Sequence, residues 1–139
     1  MSTPFRTERR VEFADTDMAG IVHFARFFCY LEAAEHEFLR SIGLEVKMQH
    51  EGATISFPRV SARCDYRKPA YFQDVLTITV VVQKLGTKAV TYGFEVLREE
   101  ELLAEGSITT VCCRIDEQGM HGVVIPELIR NKLVAADHP

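Results

Sequence analysis

The pattern of apolar and polar positions predicts one long helix in the first third of the chain. Between residues 21 and 42, apolar side chains recur at steps of three and four, which places them along one face of a helix. The positions are Phe27, Leu31, Ala34, Phe38 and Ile42. Gly43 follows where a left-handed residue commonly ends a helix. We therefore expect a helix over 21–42 with a buried apolar stripe.

The rest of the chain has the two-residue period of β-strands. A first strand is predicted over 5–13, and four longer strands follow the helix over 53–66, 74–85, 89–98 and 102–115. Short polar connections at 86–88 and 98–101 predict an antiparallel meander, with the glutamates at 99–101 at an exposed hairpin tip. A short closing helix is predicted over 126–136.

These elements predict an α+β domain in which about five strands cover one helix. Such a sheet has a second face and an edge that need protection, which favours pairing with another copy of the chain. The length of 139 residues and the 47% hydrophobic content suit one domain over 1–139 with a substantial core.

The net charge indicates which partners to expect, and the cysteines indicate the redox environment. The 20 acidic and 16 basic residues give a net charge of -4, which argues against a nucleic acid or an anionic membrane as partner. We expect no membrane span, since no stretch approaches the length of about 20 apolar residues that one needs. The four cysteines have no CxxC spacing, so we expect neither a metal site nor disulfides, and a cytoplasmic protein.

The residues at 15–24 carry the candidate chemistry. Asp15 and Asp17 lie in the loop between the first strand and the helix, and Gly20 permits a positive φ there. A carboxylate beside the unpaired N–H groups of a helix start suits acyl transfer, because the N–H groups hold a polarised carbonyl. The alternative is that the aspartates only cap the helix or form the turn, and spacing does not separate a structural from a chemical carboxylate.

Three segments resemble the hot-dog-fold acyl-CoA thioesterases of the 4-hydroxybenzoyl-CoA thioesterase group. They are DTDMAGIVHF at 15–24, YLEAA at 30–34 and CDYRKPAYFQD at 64–74, and the likeness extends roughly from Arg9 to Cys113. The resemblance implies a hot-dog fold, in which a five-stranded antiparallel sheet wraps around the long helix. It also implies homodimers, often paired into tetramers, with active sites at the dimer interface.

By position, the resemblance implies roles for four residues of the loop. Asp17 matches the catalytic aspartate, which acts as nucleophile or general base, and Gly20 matches the loop glycine. The backbone N–H of Phe24 matches the donor that polarises the thioester carbonyl. Some relatives have Tyr-His and others Tyr-Phe at 23–24, whereas this chain has His23-Phe24. His23 is thus a candidate to orient water or substrate, with a packing or surface role as the alternative.

Glu32 is a possible alternative carboxylate. In another hot-dog lineage the catalytic carboxylate is a glutamate on this helix, and Glu32 lies beside the buried stripe. The alternative is a partly buried glutamate that hydrogen-bonds to loop N–H groups. His36 lies one turn further along and is a candidate partner for Glu32.

A stripe of basic residues is a candidate binding site for the phosphates of coenzyme A. Arg59, Arg63 and Arg67 are four residues apart and share one strand face unless a bulge near Pro58 intervenes. Arginine forks suit phosphate, and the added candidates are Lys68 with Lys84 or Lys88. The alternative is a solvated strand face.

The leading hypothesis is an acyl-CoA thioesterase that releases a free acid and CoA, with no metal or redox cofactor. The alternatives are a thioesterase or hydratase acting on acyl carrier protein, and a non-catalytic acyl-CoA-binding module. The nature of the acyl group stays open between aromatic, short aliphatic and longer aliphatic chains.

Overall fold

The computed structural model describes residues 4–137. The strands that follow are numbered in chain order, and the two α-helices are α1 and α2. The elements are β1 Phe5–Arg10, a 3-10 turn Phe13–Asp15, α1 Arg26–Ser41, β2 Lys47–His50, β3 Ala53–Ser56, β4 Arg59–Tyr66, β5 Val75–Leu85, β6 Ala89–Arg98, β7 Glu101–Val111, β8 Cys113–Asp116, β9 Gly119–Gly122 and α2 Glu127–Asp137.

Five strands form one antiparallel sheet in the order β1-β5-β6-β7-β4, and α1 packs on one face of it. The helix buries four residues of the predicted stripe, Phe27, Leu31, Ala34 and Phe38, and also Tyr30 and Leu39. The fifth, Ile42, follows the helix and is partly buried. The facing side chains of β5 and β6 are buried at alternate positions, as the two-residue period requires: Leu76, Ile78, Val80, Val82, Val90, Tyr92, Phe94 and Val96. The prediction of an α+β hot-dog architecture is confirmed.

The predicted start of the long helix is wrong by five residues. Residues 21–25 form turns, because the N–H of Val22 bonds to the carbonyl of Ala70 at 2.9 Å and Thr16 pairs with Val22 in an isolated bridge. These bonds tie the segment to a neighbouring loop, and α1 begins only at Arg26. The predicted end holds, since Gly43 follows the helix with a φ of +78°.

Two predicted long strands are broken, and the fragments build a second sheet that the pattern did not predict. The strand expected over 53–66 breaks at residues 57–58, where Pro58 cannot donate to a ladder. The strand expected over 102–115 breaks at Cys112, whose N–H bonds to the Lys88 carbonyl at 2.7 Å. The fragments β3 and β8 join β2 and β9 in a four-stranded sheet of order β2-β3-β8-β9.

The other predictions differ by smaller shifts. The first strand ends at Arg10 rather than at residue 13, and Phe13 lies exposed in the 3-10 turn. The closing helix occupies Glu127–Asp137. Glu99 and Glu100 form the exposed hairpin tip, while Glu101 begins β7. Within residues 4–137, no helix is both long enough and apolar enough to cross a membrane.

Candidate active site

The carboxylate of Asp15 is engaged by the fold around it. It accepts hydrogen bonds from the backbone N–H of Glu12 at 2.9 Å and from the hydroxyl of Tyr30 at 2.8 Å, and Arg26 lies 3.8 Å away. Burial, together with the nearby Asp15 carboxylate, raises the pKa of Tyr30, so its hydroxyl stays a neutral donor. These bonds fasten the loop to α1 and give Asp15 a structural position.

Asp17 sits at the edge of a cleft two residues further on. Its Oδ1 accepts the N–H of Ala19 at 2.8 Å, which closes a tight turn that Gly20 completes with a φ of +83°. That φ suits glycine, because a side chain is disfavoured in the left-handed region. Among the described residues, the second carboxylate oxygen of Asp17 has no hydrogen-bond partner. The loop therefore leaves one oxygen of Asp17 without a hydrogen bond.

The cleft beside Asp17 has a volume of about 410 Å³ and a mostly apolar wall. It is lined by Asp17, Ile21, Val22, Phe24, Phe27, Tyr66, Arg67, Lys68 and Pro69. The ring of Tyr66 packs edge to face on Phe27 with centroids 5.2 Å apart. One carboxylate and two cations thus share an aromatic-walled cleft.

The peptide N–H of Phe24 is a free donor at this cleft. Within the described part of the chain, it has no hydrogen-bond acceptor among protein atoms, whereas its neighbours do. The His23 N–H donates to the Asp15 carbonyl at 2.8 Å, and the Ala25 N–H donates to Nδ1 of His23 at 3.2 Å. Because Phe24 precedes α1, the donor belongs to the loop rather than to the helix itself. This N–H therefore has no acceptor within the described residues and remains open to one from outside them.

Tyr66 belongs to the site, although the sequence interpretation assigned it no role. Its hydroxyl donates to the carbonyl of Phe24 at 2.7 Å. Burial, and then the nearby Cys64, raises the pKa of Tyr66 to about 12, so the hydroxyl keeps its proton. Only its place at 64–74, in the segment that carried the family resemblance, could have signalled it.

Arg59, Arg63 and Arg67 do not all share one strand face, because the bulge that would break the stripe is present in β4. The pairing of β4 with β7 shifts register between Arg59 and Ser61. Arg59 turns towards the helix, where it pairs with Glu35 at 3.1 Å. Arg63 is exposed on the opposite sheet face and pairs with Asp65 at 3.1 Å.

Of the other predicted phosphate ligands, only two line the cleft. Arg67 follows β4 and pairs with Glu105, and Lys68 pairs with Glu101 at 2.6 Å. Lys84 and Lys88 lie near the β5–β6 turn, whereas the Asp17 loop lies near the start of β5. The eleven residues of β5 span about 35 Å, so neither lysine reaches the cleft of its own protomer.

Glu32 and His23 both have structural contacts. Glu32 is half exposed on α1, pairs with Arg59 at 3.5 Å and does not line the cleft. His36 lies 3.2 Å from the Arg59 guanidinium rather than pairing with Glu32, and burial lowers its pKa. The exposed ring of His23 stacks on Phe24 at 4.6 Å.

Residues 4–137 contain neither a candidate metal-binding cluster nor a disulfide. No cluster of three or more His, Cys, Asp or Glu side chains there is placed to hold a metal ion. The four cysteines are free thiols, and Cys112 and Cys113 are buried packing residues.

The antiparallel sheet packed on one long helix defines a hot-dog protein. Residues 11–133 match the Thioesterase-like superfamily, and the chain belongs to this family. The prediction of a thioester hydrolase is thereby confirmed.

Relatives extend the likeness across most of the chain. A putative esterase of Aquifex aeolicus is 35% identical over 75% of this chain and 80% of its own length. A 1,4-dihydroxy-2-naphthoyl-CoA hydrolase of Nostoc punctiforme is 32% identical over 78% of this chain and 73% of its own length. The crystal structure of a 1,4-dihydroxy-2-naphthoyl-CoA thioesterase from Synechocystis superposes with a TM-score of 0.83 at 25% identity, covering 99% of this chain and 100% of that one.

Proposed function

We propose that the protein hydrolyses an acyl-CoA thioester at the cleft beside Asp17. The observation that carries the proposal is that a carboxylate oxygen and a free peptide N–H, of Asp17 and Phe24, line the same cleft. A thioester carbonyl that accepts from the Phe24 N–H becomes more electrophilic, and the developing oxyanion is stabilised there. This pairing of groups is what acyl transfer requires.

Asp17 can promote cleavage of such a thioester in either of two ways. As nucleophile, its oxygen bonds to the acyl carbon, the C–S bond breaks, CoA leaves as a thiolate that takes up a proton, and water then cleaves the anhydride. As general base, it takes a proton from water, the hydroxide adds to the carbonyl, and the proton passes to the departing thiolate. Both routes give a free acid and CoA.

Two cations at the cleft support CoA as the carrier. Arg67 and Lys68 line the cleft, and each is neutralised by one glutamate, Glu105 and Glu101. CoA phosphates can compete for these half-exposed pairs, because surface ion pairs contribute little stability. We do not assign Arg59, Arg63 and Lys88 to this phosphate-binding site within one protomer.

The wall of the cleft favours a planar aromatic acyl group. The rings of Phe24, Phe27 and Tyr66 line it, and aromatic pairs gain from edge-to-face and offset contacts. Relatives of this chain are 1,4-dihydroxy-2-naphthoyl-CoA hydrolases, which act on a bicyclic aromatic thioester. We therefore extend the proposal to aryl-CoA substrates.

The proposal includes a homodimer, paired further into a tetramer, as the working form. Phe13 and Phe72 pack edge to face at 5.7 Å, yet both are exposed beside the Asp17 loop, as is Met18. Clustered exposed apolar side chains mark contact surfaces. A second protomer on this surface would cover the open side of the cleft.

A thiol-release assay over a panel of thioesters tests the proposal. We expect benzoyl-CoA and 2-naphthoyl-CoA to be hydrolysed faster than acetyl-CoA and palmitoyl-CoA, and the CoA esters faster than the same acyl groups on acyl carrier protein. Faster hydrolysis of the carrier-protein esters would support the alternative of a thioesterase that acts on acyl carrier protein. Tight binding of every acyl-CoA without thiol release would favour the alternative of a non-catalytic acyl-CoA-binding module.

A further inference from the structure

The peptide that follows the Phe24 N–H is held from both sides by side chains. Its carbonyl, on Phe24, accepts from the Tyr66 hydroxyl at 2.7 Å. Its N–H, on Ala25, donates to Nδ1 of His23 at 3.2 Å. Since both polar groups of this peptide are engaged by side chains, its plane is fixed before any substrate binds.

The peptide that contains the Phe24 N–H and the peptide before it are held by backbone hydrogen bonds. The carbonyl of His23 accepts the N–H of Arg26 at 2.9 Å, and the N–H of His23 donates to the Asp15 carbonyl at 2.8 Å. Of the N–H groups of residues 23–26, that of Phe24 alone has no acceptor among the described residues. The bonds on both sides therefore decide where that N–H points.

Tyr66 differs from the other contacts because it joins the loop to the sheet. The bonds from His23, Asp15 and Arg26 all lie within residues 15–26, so they fix the shape of the loop. The bond from the Val22 N–H to the Ala70 carbonyl ties the loop to the segment before β5, and it does not reach the Phe24 peptide. Tyr66 is the last residue of β4, and its ring is braced against Phe27 of α1. Its hydroxyl thus sets the position of the Phe24 peptide relative to the rigid sheet.

We propose that Tyr66 and His23 are positioning residues that orient the Phe24 N–H towards the substrate carbonyl. This inference rests on the proposed thioesterase function. A donor that is already in place costs no reorganisation in the transition state. Displacing a reactive group by about 1 Å can reduce the rate by about 100-fold.

Tyr66→Phe tests the hydroxyl alone, since the ring and its contact with Phe27 are retained. On 2-naphthoyl-CoA we expect kcat to fall by about 10- to 100-fold, with KM changed by less than about twofold. Tyr71→Phe is the matched control, because Tyr71 is exposed and lies outside the cleft, and it should keep the kcat of the unmodified protein. A kcat for Tyr66→Phe equal to that of Tyr71→Phe overturns the proposal.

A pair of substitutions separates the acceptor of His23 from its ring. The side-chain oxygen of asparagine lies near the place of Nδ1, so His23→Asn keeps an acceptor for the Ala25 N–H, whereas His23→Ala does not. Both remove the stacking on Phe24. We expect His23→Ala to lower kcat several-fold and His23→Asn to restore most of it. Equal losses of kcat in the two variants would show that activity depends on the stacking of the ring and not on the hydrogen bond.

The amide resonance of Phe24 gives a readout that does not depend on turnover. In protein labelled with ¹⁵N-phenylalanine, we expect Tyr66→Phe to shift this resonance and speed its hydrogen exchange, and Tyr71→Phe to leave both unchanged. An unchanged Phe24 resonance in Tyr66→Phe overturns the inference even if the protein hydrolyses no thioester. Failure of the proposed function would instead show as absent thiol release by the unmodified protein, with the resonance shift still present.

Discussion

At the scale of single residues, the most unusual ionisable group is the Glu35 carboxyl in the core. It is fully buried on α1, and Oε2 contacts Arg59 at 3.1 Å while Oε1 has no partner among the described residues. Burial raises its pKa to about 7, and the Arg59 guanidinium opposes that rise. The other ionisable groups that face it are Glu32 and Tyr92, and His36 contacts the same arginine.

This shift makes the stability of the fold depend on pH. Between pH 4.5 and 7 the folded protein retains a proton on Glu35 that the unfolded chain has released, so the contribution of this group is full below pH 4.5 and is lost as the pH rises through 7. Glu35→Gln has no proton to lose. We expect the free energy of unfolding of the unmodified protein to fall relative to that of Glu35→Gln by up to about 3 kcal/mol over this range, measured by urea denaturation.

Glu32→Gln is the control for this experiment, because Glu32 contacts the same arginine but is half exposed. Its free energy of unfolding should still fall as the pH rises over this range, but less steeply than that of the unmodified protein, because the Glu32 charge adds to the rise in the Glu35 pKa. Parallel pH profiles for Glu35→Gln and the unmodified protein would contradict the prediction. They would mean that Glu35 has the same pKa in the folded and the unfolded protein.

The two aspartates of the loop show what residue-scale sequence reasoning can reach. Their spacing predicted a carboxylate next to free N–H groups, but it did not separate Asp15 from Asp17. The separation depends on Tyr30, which reaches Asp15 from α1, and on the turn that exposes Asp17. Such contacts depend on tertiary packing, so periodicity and spacing do not contain them.

At the scale of elements, close approach of β7 to its neighbours depends on one glycine. A Cβ on Gly106 would lie 2.5 Å from the carbonyl oxygen of Arg63 on β4 and 3.1 Å from Cδ1 of Leu31 on α1. The first contact is with backbone, which cannot rotate away. Gly106 is therefore required where the sheet meets the helix.

We expect Gly106→Ala to destabilise the protein by about 1–3 kcal/mol, because the added methyl overpacks this contact. The measurement is the free energy of unfolding in urea. Gly119→Ala, also a strand glycine and with open space around its Cβ position, tests the opposite case of backbone strain without crowding. A Gly106→Ala variant as stable as the unmodified protein would contradict the close approach.

The helix and the main sheet could be predicted from the sequence because their buried faces repeat at regular periods over ten or more residues. The second sheet could not, since β2 and β9 are four residues each and mostly polar or exposed. The shared face of the three arginines is lost for a related reason. One extra residue at the β4 bulge reverses the side-chain alternation, which is a register effect that spacing does not reveal.

At the scale of the whole molecule, the Phe13–Phe72 pair predicts an oligomer. Sedimentation of the unmodified protein should show a dimer or tetramer. We expect the double variant Phe13→Ser/Phe72→Ser to dissociate and to lose thioesterase activity, because the cleft loses its cover. Met120→Ser, which removes an exposed apolar side chain on β9, should change neither property. A fully active monomer, or a double variant that stays assembled, would contradict the proposed interface.

The central claim is that Asp17 carries the chemistry, and thiol release by Asp17→Asn tests it most directly. The amide can still accept the Ala19 N–H, so we expect the fold and the substrate affinity to be kept while kcat falls by at least about 100-fold. Glu32→Gln, measured beside it on 2-naphthoyl-CoA, should keep nearly full activity. Full activity in Asp17→Asn would contradict the account, and loss of activity only in Glu32→Gln would move the catalytic carboxylate to the helix.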